Sequence, residues 1–277
     1  MTDDLHQLGG RRQLDAPHQF DVRGTIFDVS GTVALVTGSS RGIGAALAAG
    51  LAEAGAVVVL NARTPQPLQQ ARAELAERTG ARVEAIAFDV ADEPAVTEAV
   101  ARIETQIGPI GILVNNAGVQ HRVPMFDLDL ADWQRVLDAN LTGPFVVGRA
   151  VARAMVSRGR GKIVNIASLI SRLARPGIAP YAASKGGLAM LTRQMCAEWG
   201  PAGLQVNAIA PGYIATELTA ALVNDPAFDS WLRGRTPAAR WGQADELVGA
   251  LLWLTSQASA YVNGQIVHID GGMTAVV

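Results

Sequence analysis

Tyr181 and Lys185 stand four residues apart in a stretch that reads as helix. Positions i and i+4 share one helix face, so the phenol and the ammonium can reach into the same space. A phenol titrates near ~10 and is a poor proton carrier at neutral pH. A cation close by favours the phenolate and lowers that value, which is the tuning general acid–base chemistry needs. By itself the spacing is common, and an ordinary surface pair is the default reading. Ser168 closes an apolar run upstream, where a hydroxyl can hydrogen-bond a carbonyl oxygen and stabilise charge growing on it. Asn140 precedes Thr142-Gly143-Pro144, a place where a helix should break, and an amide there can hold a water instead of completing the ladder. Singly, each of these is a local hydrogen bond. Together they form a serine–tyrosine–lysine group able to move a proton to or from a carbonyl oxygen, provided a hydride carrier sits beside it.

The segments that must position these residues follow a regular order. Apolar, β-rich runs occupy 32–38, 56–61, 82–90, 111–118, 161–168, 204–212 and 264–270. Helical stretches at 42–55, 65–78, 94–107, 130–157 (broken near Gly143-Pro144), 181–199 and 244–255 lie between them. Strands this continuously apolar are covered on both faces. Their alternation with helices implies a parallel sheet with right-handed crossovers. The expected fold is α/β: a single-domain, doubly wound (Rossmann) seven-stranded parallel sheet with helices on both faces, over residues 27–277. Residues 1–26 are polar and aperiodic, and read as an extension. FDVRG at 20–24 echoes FDVSG at 27–31, which one short echo leaves as chance. Sheets of this kind bind ligands beyond the carboxyl ends of their strands, and every motif here falls there.

The first run feeds into Gly38-Ser39-Ser40-Arg41-Gly42-Ile43-Gly44. Glycines in a strand-to-helix turn let backbone N–H groups approach a pyrophosphate at a helix N-terminus. The spacing is G-x-x-x-G-x-G rather than the usual G-x-G-x-x-G. An acid ending the second strand would hold the ribose 2′-hydroxyl of NAD. Here the chain reads Leu60-Asn61-Ala62-Arg63. Arg63 and Arg41 instead suit a 2′-phosphate through charge-assisted bonds, so the cofactor expected is NADP(H). Asp89-Val90 ends the third run, where a carboxylate can accept from the adenine amino group. Asn116-Ala117-Gly118 ends the fourth, where small residues let the chain pass close to the ribose.

Of the 277 residues, 49% are hydrophobic and 17% charged, with a formal net charge of −2. That balance gives no electrostatic footprint for nucleic acid or an anionic membrane. The opening residues lack the apolar core of a signal peptide, and no run reaches the ~18–20 apolar residues of a membrane span. One cysteine, Cys196, leaves no intrachain disulfide and reads as a buried, inert thiol. A cytoplasmic enzyme is expected. The four histidines do not cluster, so no metal is expected, and His268 reads as a core or interface residue.

TGSSRGIG, NNAG, Asn140, Ser168, Tyr181-x-x-x-Lys185 and Pro211-Gly212, in this order over residues 27–277, resemble the short-chain dehydrogenase/reductase family. The resemblance implies that Tyr181 is the acid/base, Ser168 polarises the carbonyl, and Lys185 lowers the tyrosine pKa and binds the nicotinamide ribose. It implies that Asn140 holds a relay water and that Pro211, Gly212, Tyr213, Ile214 and Thr216 cradle the carboxamide. It also implies a homotetramer built through two long helices and the last strand. A narrower likeness, in VQHRVP (119–124), RGRGKIVNIAS (158–168), LARPGIAPY (173–181), RTPAARWGQADELVGA (235–250) and YVNGQIVHIDGG (261–272), is to the family's gluconate 5-dehydrogenase branch, which implies a keto-sugar acid as the small-molecule substrate. A 3-oxoacyl-thioester reductase shares every catalytic motif, and a silent dinucleotide sensor is the reading from another class. That branch usually carries Gln and Glu where this chain has Ile170 and Arg172, and Arg where it has His121. Ile170 withdraws hydrogen bonding from a polyol, whereas Arg122 and Arg172 suit a substrate carboxylate. Residues 213–240 read as a lid, with Leu218, Leu222, Phe228 and Trp231 as its packing face.

Overall fold

The computed structural model describes residues 22–277. Its centre is a seven-stranded parallel sheet in the order β3-β2-β1-β4-β5-β6-β7. The strands are β1 (Val33–Val36), β2 (Val57–Ala62), β3 (Val83–Ala87), β4 (Ile110–Asn115), β5 (Gly161–Ile166), β6 (Leu204–Pro211) and β7 (Ile266–Ile269). The expected doubly wound architecture is the one observed. All strands but β2 end earlier than the apolar runs do, because the last residues of those runs have left the ladder.

Side chains alternate across the sheet, and both sides are filled. Ala34 and Val36 of β1 face one layer, where they meet Leu47 and Leu51 of α1 (Gly42–Glu53), Leu68 and Leu75 of α2 (Pro65–Thr79) and helix residues Leu251 and Leu254. Val33 and Leu35 face the other, with Val96 and Ile103 of α3 (Glu93–Gln106) and residues Val147 and Met155. The Ala/Gly-rich face of α1 is a packing requirement. A Cβ on Gly50 would sit 2.2 Å from a methyl of Val248, so only a glycine lets the two helices approach this closely.

The helical region expected at 130–157 is two helices, α4 (Leu130–Leu137) and α5 (Gly143–Arg158), joined by one π-helical turn at Asp138–Thr142. The break therefore comes just before Gly143-Pro144 and contains Asn140. Helix α6 (Ala179–Trp199) starts two residues before Tyr181, with Pro180 in its first turn. The lid segment adds two short helices, α7 (Ala220–Val223) and α8 (Pro226–Arg235). The last expected helix begins as a 3-10 turn at Ala244–Leu247 before α9 (Val248–Thr255). Nine α-helices among the described residues thus replace the six of the sequence reading.

Residues 1–21 of the expected extension, with the first two residues of the 20–24 segment that echoes 27–31, lie outside the described residues. Its described end is tied to the body: Val22 packs on the core and Ile26 accepts from the Ala258 amide at 2.9 Å. No helix is long and apolar enough to cross a membrane, and no group of three or more His, Cys, Asp or Glu is placed to hold a metal, both among the described residues.

Candidate active site

A cleft of about 1100 Å³ opens along the carboxyl ends of the strands. Its floor at one end is the turn between β1 and α1. Gly38 has φ +62°, and a Cβ there would lie 2.7 Å from Ala117 Cα. A Cβ on Gly44 would lie 2.3 Å from the Gly38 carbonyl oxygen and 2.4 Å from Asn116 Nδ2. Both glycines are needed for the β1 and β4 loops to close on each other. Asn116 secures that closure by donating to the Thr37 and Gly38 carbonyls at 3.0 and 2.9 Å. The α1 N-terminus has no side-chain cap and no acid in its first turn. Its leading amides, with Ser40, Arg41, Gly42 and Ile43, border the cleft, an arrangement suited to a phosphate.

Arg63 and Arg41 border the same end with exposed guanidiniums. Arg63 lies 3.8 Å from Asp89, and Arg41 3.3 Å from Glu217 in the lid. Asp89 also accepts from the Ala91 amide, which fixes its carboxylate beside Val90. Two exposed cations at one end of the cleft, an uncapped helix end, and glycines whose Cβ atoms would block the floor together fit a phosphorylated dinucleotide.

At the other end, Lys185 is buried and donates from Nζ to the Ile166 carbonyl at 2.7 Å. Burial pushes its pKa down to about 8. Nζ lies 5.7 Å from the centre of the Tyr181 ring. The Tyr181 phenol is held above its usual value, chiefly by burial, and a hydrogen bond to Ser168 works against that. The Lys185 ammonium faces the Ile166 carbonyl, and burial is the larger influence on the phenol. Ser168 lies two residues past β5, where it caps the short turn Leu169–Ser171 and accepts from the Ile170 amide at 3.2 Å.

Asn140 is fully buried, and its side chain is committed. Oδ1 accepts from the Val119 amide at 2.8 Å, while Nδ2 donates to the Val119 carbonyl at 2.9 Å and to Ser184 Oγ at 3.1 Å. Ser184 in turn donates to the Tyr181 carbonyl at 2.8 Å. Asn140 pins the loop after β4 to the helix carrying Tyr181, and the π turn is what presents it. Ser184, unremarked in the sequence reading, is the link.

Past β6, Pro211, Gly212, Ile214 and Thr216 line the cleft. A Cβ on Gly212 would lie 2.6 Å from Asp270 Cα, so glycine lets the ends of β6 and β7 press together. Tyr213 turns away from the cleft into edge-on contacts with Phe228 and Trp241, at 5.3 and 5.8 Å between ring centres. Trp241 is buried and donates to Asp229 at 2.7 Å, making it the anchor of the lid. Leu222 and Phe228 pack as expected, but Leu218 is exposed and borders the cleft, and Trp231 is half-exposed.

The expected substrate residues scatter. Ile170 is buried among Ile178, Leu232 and Trp241, away from the cleft. Arg172 is exposed and borders neither cavity. Both depart from the sequence reading, which placed them at the substrate mouth. His121 is bound to α4 through Asp132 Oδ2 at 3.4 Å and Arg135 Nη2 at 3.4 Å. Cys196 is partly exposed rather than fully buried.

The sequence model of the family described as enoyl-(acyl carrier protein) reductase matches residues 38–274. The chain is 53% identical to the gluconate 5-dehydrogenase of Gluconobacter oxydans (strain 621H), covering 90% of this chain and 97% of that one. It is 47% identical to the 5-keto-D-gluconate 5-reductase of Escherichia coli (strain K12), covering 91% and 99%. Among solved structures, a gluconate 5-dehydrogenase from Burkholderia cenocepacia J2315 in complex with NADP and tartrate superposes with a TM-score of 0.88 at 50% identity, covering 91% and 98%.

Proposed function

The chain belongs to the short-chain dehydrogenase/reductase family, and from that premise we propose that it is an NADP-dependent oxidoreductase interconverting 5-keto-D-gluconate and D-gluconate. The observation that carries this reading is a single cleft lined at one end by Gly38, Gly44, Arg41 and Arg63 and at the other by Ser168, Tyr181 and Lys185. The activities named for its relatives, and the NADP in a neighbouring structure, support the same pair.

NADPH bound in the cleft supplies the hydride. The chain's own groups handle the proton. Ser168 orients the ketone oxygen, and the Tyr181 phenol, protonated at neutral pH, gives it a proton. Lys185 would hold the ribose, and it ties the catalytic helix to the end of β5 through the Ile166 carbonyl. Asn140, through Ser184 and Val119, keeps the loop after β4 in register with that helix. Arg63, joined by Arg41, takes the 2′-phosphate.

A 3-oxoacyl-thioester reductase is the second reading, supported by 34% identity to the 3-oxoacyl-[acyl-carrier-protein] reductase of Aquifex aeolicus (strain VF5). NADPH oxidation with 5-keto-D-gluconate against an acetoacetyl thioester separates the two. We expect turnover of the sugar acid, NADPH preferred over NADH, and that preference lost in Arg63→Ala. Turnover of the thioester alone favours the second reading, and no turnover of any carbonyl favours a dinucleotide sensor.

The same reading includes one catalytic domain over residues 27–277, after an extension at 1–26, in a reducing, cytoplasmic setting compatible with the free Cys196. It includes a homotetramer built through two long helices, α5 and α6, and β7. Half-exposed Phe145 on α5, the half-exposed β7 edge, and a buried His268 Nε2 with no hydrogen-bond partner among the described residues all support such contacts.

A further inference from the structure

Arg41 is the N-cap of α1, in the turn after β1. Glu217 comes from the other side of the sheet centre, directly behind Thr216 in the segment that follows β6. Both border the cleft, and Arg41 Nη1 lies 3.3 Å from Glu217 Oε2. Neither charged group has another hydrogen-bond or ion-pair partner among the described residues. The backbone under Glu217 is ordered: the Thr219 hydroxyl donates to the Ile214 carbonyl at 2.7 Å and accepts from the Thr216 amide at 3.0 Å. Arg63, the other cation at this end, faces Asp89 at 3.8 Å, but Asp89 is also held by the Ala91 amide. Of the two carboxylates, Glu217 alone has no partner but its arginine.

An anion that uses Arg41 must take it from Glu217. The 2′-phosphate of NADP is such an anion, and the ribose of NADH carries only a hydroxyl there. A carboxylate beside the guanidinium occupies its donors and repels an incoming phosphate. With NADH bound, the Arg41–Glu217 pair can stay as it is. The cost of parting the pair therefore falls on the phosphorylated cofactor.

We propose that Glu217 is a specificity-determining residue for the cofactor: it competes with the 2′-phosphate for Arg41 and so narrows the preference for NADPH over NADH. The two arginines create the preference, and Glu217 sets how far it goes. The side chains are 77% and 70% exposed, so the pair is well solvated and its effect is small. Exposed pairs of this kind change a binding constant by a factor of about 2–5. The inference rests on the NADP-dependent reading above and on its assignment of Arg41 to the 2′-phosphate.

Titration with NADPH and with NADH, followed by tryptophan fluorescence, reads both dissociation constants without turnover. In Glu217→Gln the ratio of Kd for NADH over Kd for NADPH should rise about 2–5-fold, through tighter NADPH binding with NADH unmoved. Glu217→Asp, which keeps the charge on a shorter stem, should raise it by less. In an Arg41→Ala background the Gln substitution should leave the ratio where it was, because the group being competed for has gone. Equal shifts for both cofactors overturn the proposal and make Glu217 a prop of its segment. A full rise in the Arg41→Ala background overturns it as well, as does an Arg41→Ala variant whose preference matches wild type. Wild-type protein that prefers NADPH but reduces no keto acid would sink the proposed activity, and the ratio in Glu217→Gln would still decide the role of Glu217.

Discussion

At Tyr181 and Lys185, two burial effects set the direction of chemistry with pH. The phenol is raised, so it is protonated at neutral pH and ready to give its proton to a ketone oxygen. Alcohol oxidation needs the phenolate, which grows only as pH rises. Lys185, with a pKa of about 8, loses its charge before the raised phenol ionises. Ketone reduction should therefore be flat near neutrality and decline at alkaline pH, while oxidation climbs. Tyr181→Phe should lower both by about 10²–10⁴-fold, the usual contribution of a positioned acid, and still bind NADPH. Steady-state rates in both directions across pH, with a fluorescence titration of NADPH, check this. A reduction rate that rises with pH, or near-normal activity in the phenylalanine variant, would remove the phenol from the mechanism.

At the scale of elements, what was legible was whatever is local. Continuous apolar runs announced the strands, and the glycine turn, NNAG and Tyr181-x-x-x-Lys185 carry their meaning within a few residues. What depended on distant segments meeting was not legible. Nothing near Arg41 announces that Glu217 will pair with it, and nothing near Asn140 announces that Val119 and Ser184 will use up its amide. Ile170 illustrates side-chain direction: its position beside Ser168 was readable, but its turn into the cluster with Leu232 and Trp241 was not. Strand β5 adds a buried charge of its own. Lys162 donates to Ser259 at 3.2 Å, and burial lowers its pKa to about 8. Below about pH 8 the charge is present both folded and unfolded, so its burial opposes folding in full. As pH rises from there toward 10.5, the unfolded chain binds more protons and stability increases. Lys162→Met should therefore raise Tm at pH 7, by about 2–4 °C for each kcal/mol recovered, and lessen the alkaline gain. Lys162 lies outside the cleft lining, so kcat should hold. Calorimetry across pH would show it, and a lower Tm at pH 7 would mean that the Ser259 contact outweighs the cost of burial.

For the whole molecule, the strand order has a consequence in time as well as in space. Outward from β1 the sheet runs β2, β3 one way and β4, β5, β6, β7 the other. No strand must be inserted between two already paired, so every new strand finds a free edge waiting. A chain leaving the ribosome N-terminus first can lay down β1 to β3, then add β4 to the open side of β1, then extend. The glycine turn closes on Ala117 at that moment, before Ser168, Tyr181 or Lys185 has been translated. Nascent chains stalled once α4 has emerged should already shield β1–β4 amides from hydrogen exchange, whereas amides left unshielded until β7 appears would mean the sheet forms in one late step. In a protein built this way, translation finishes the cradle for the dinucleotide first and arms the chemistry last.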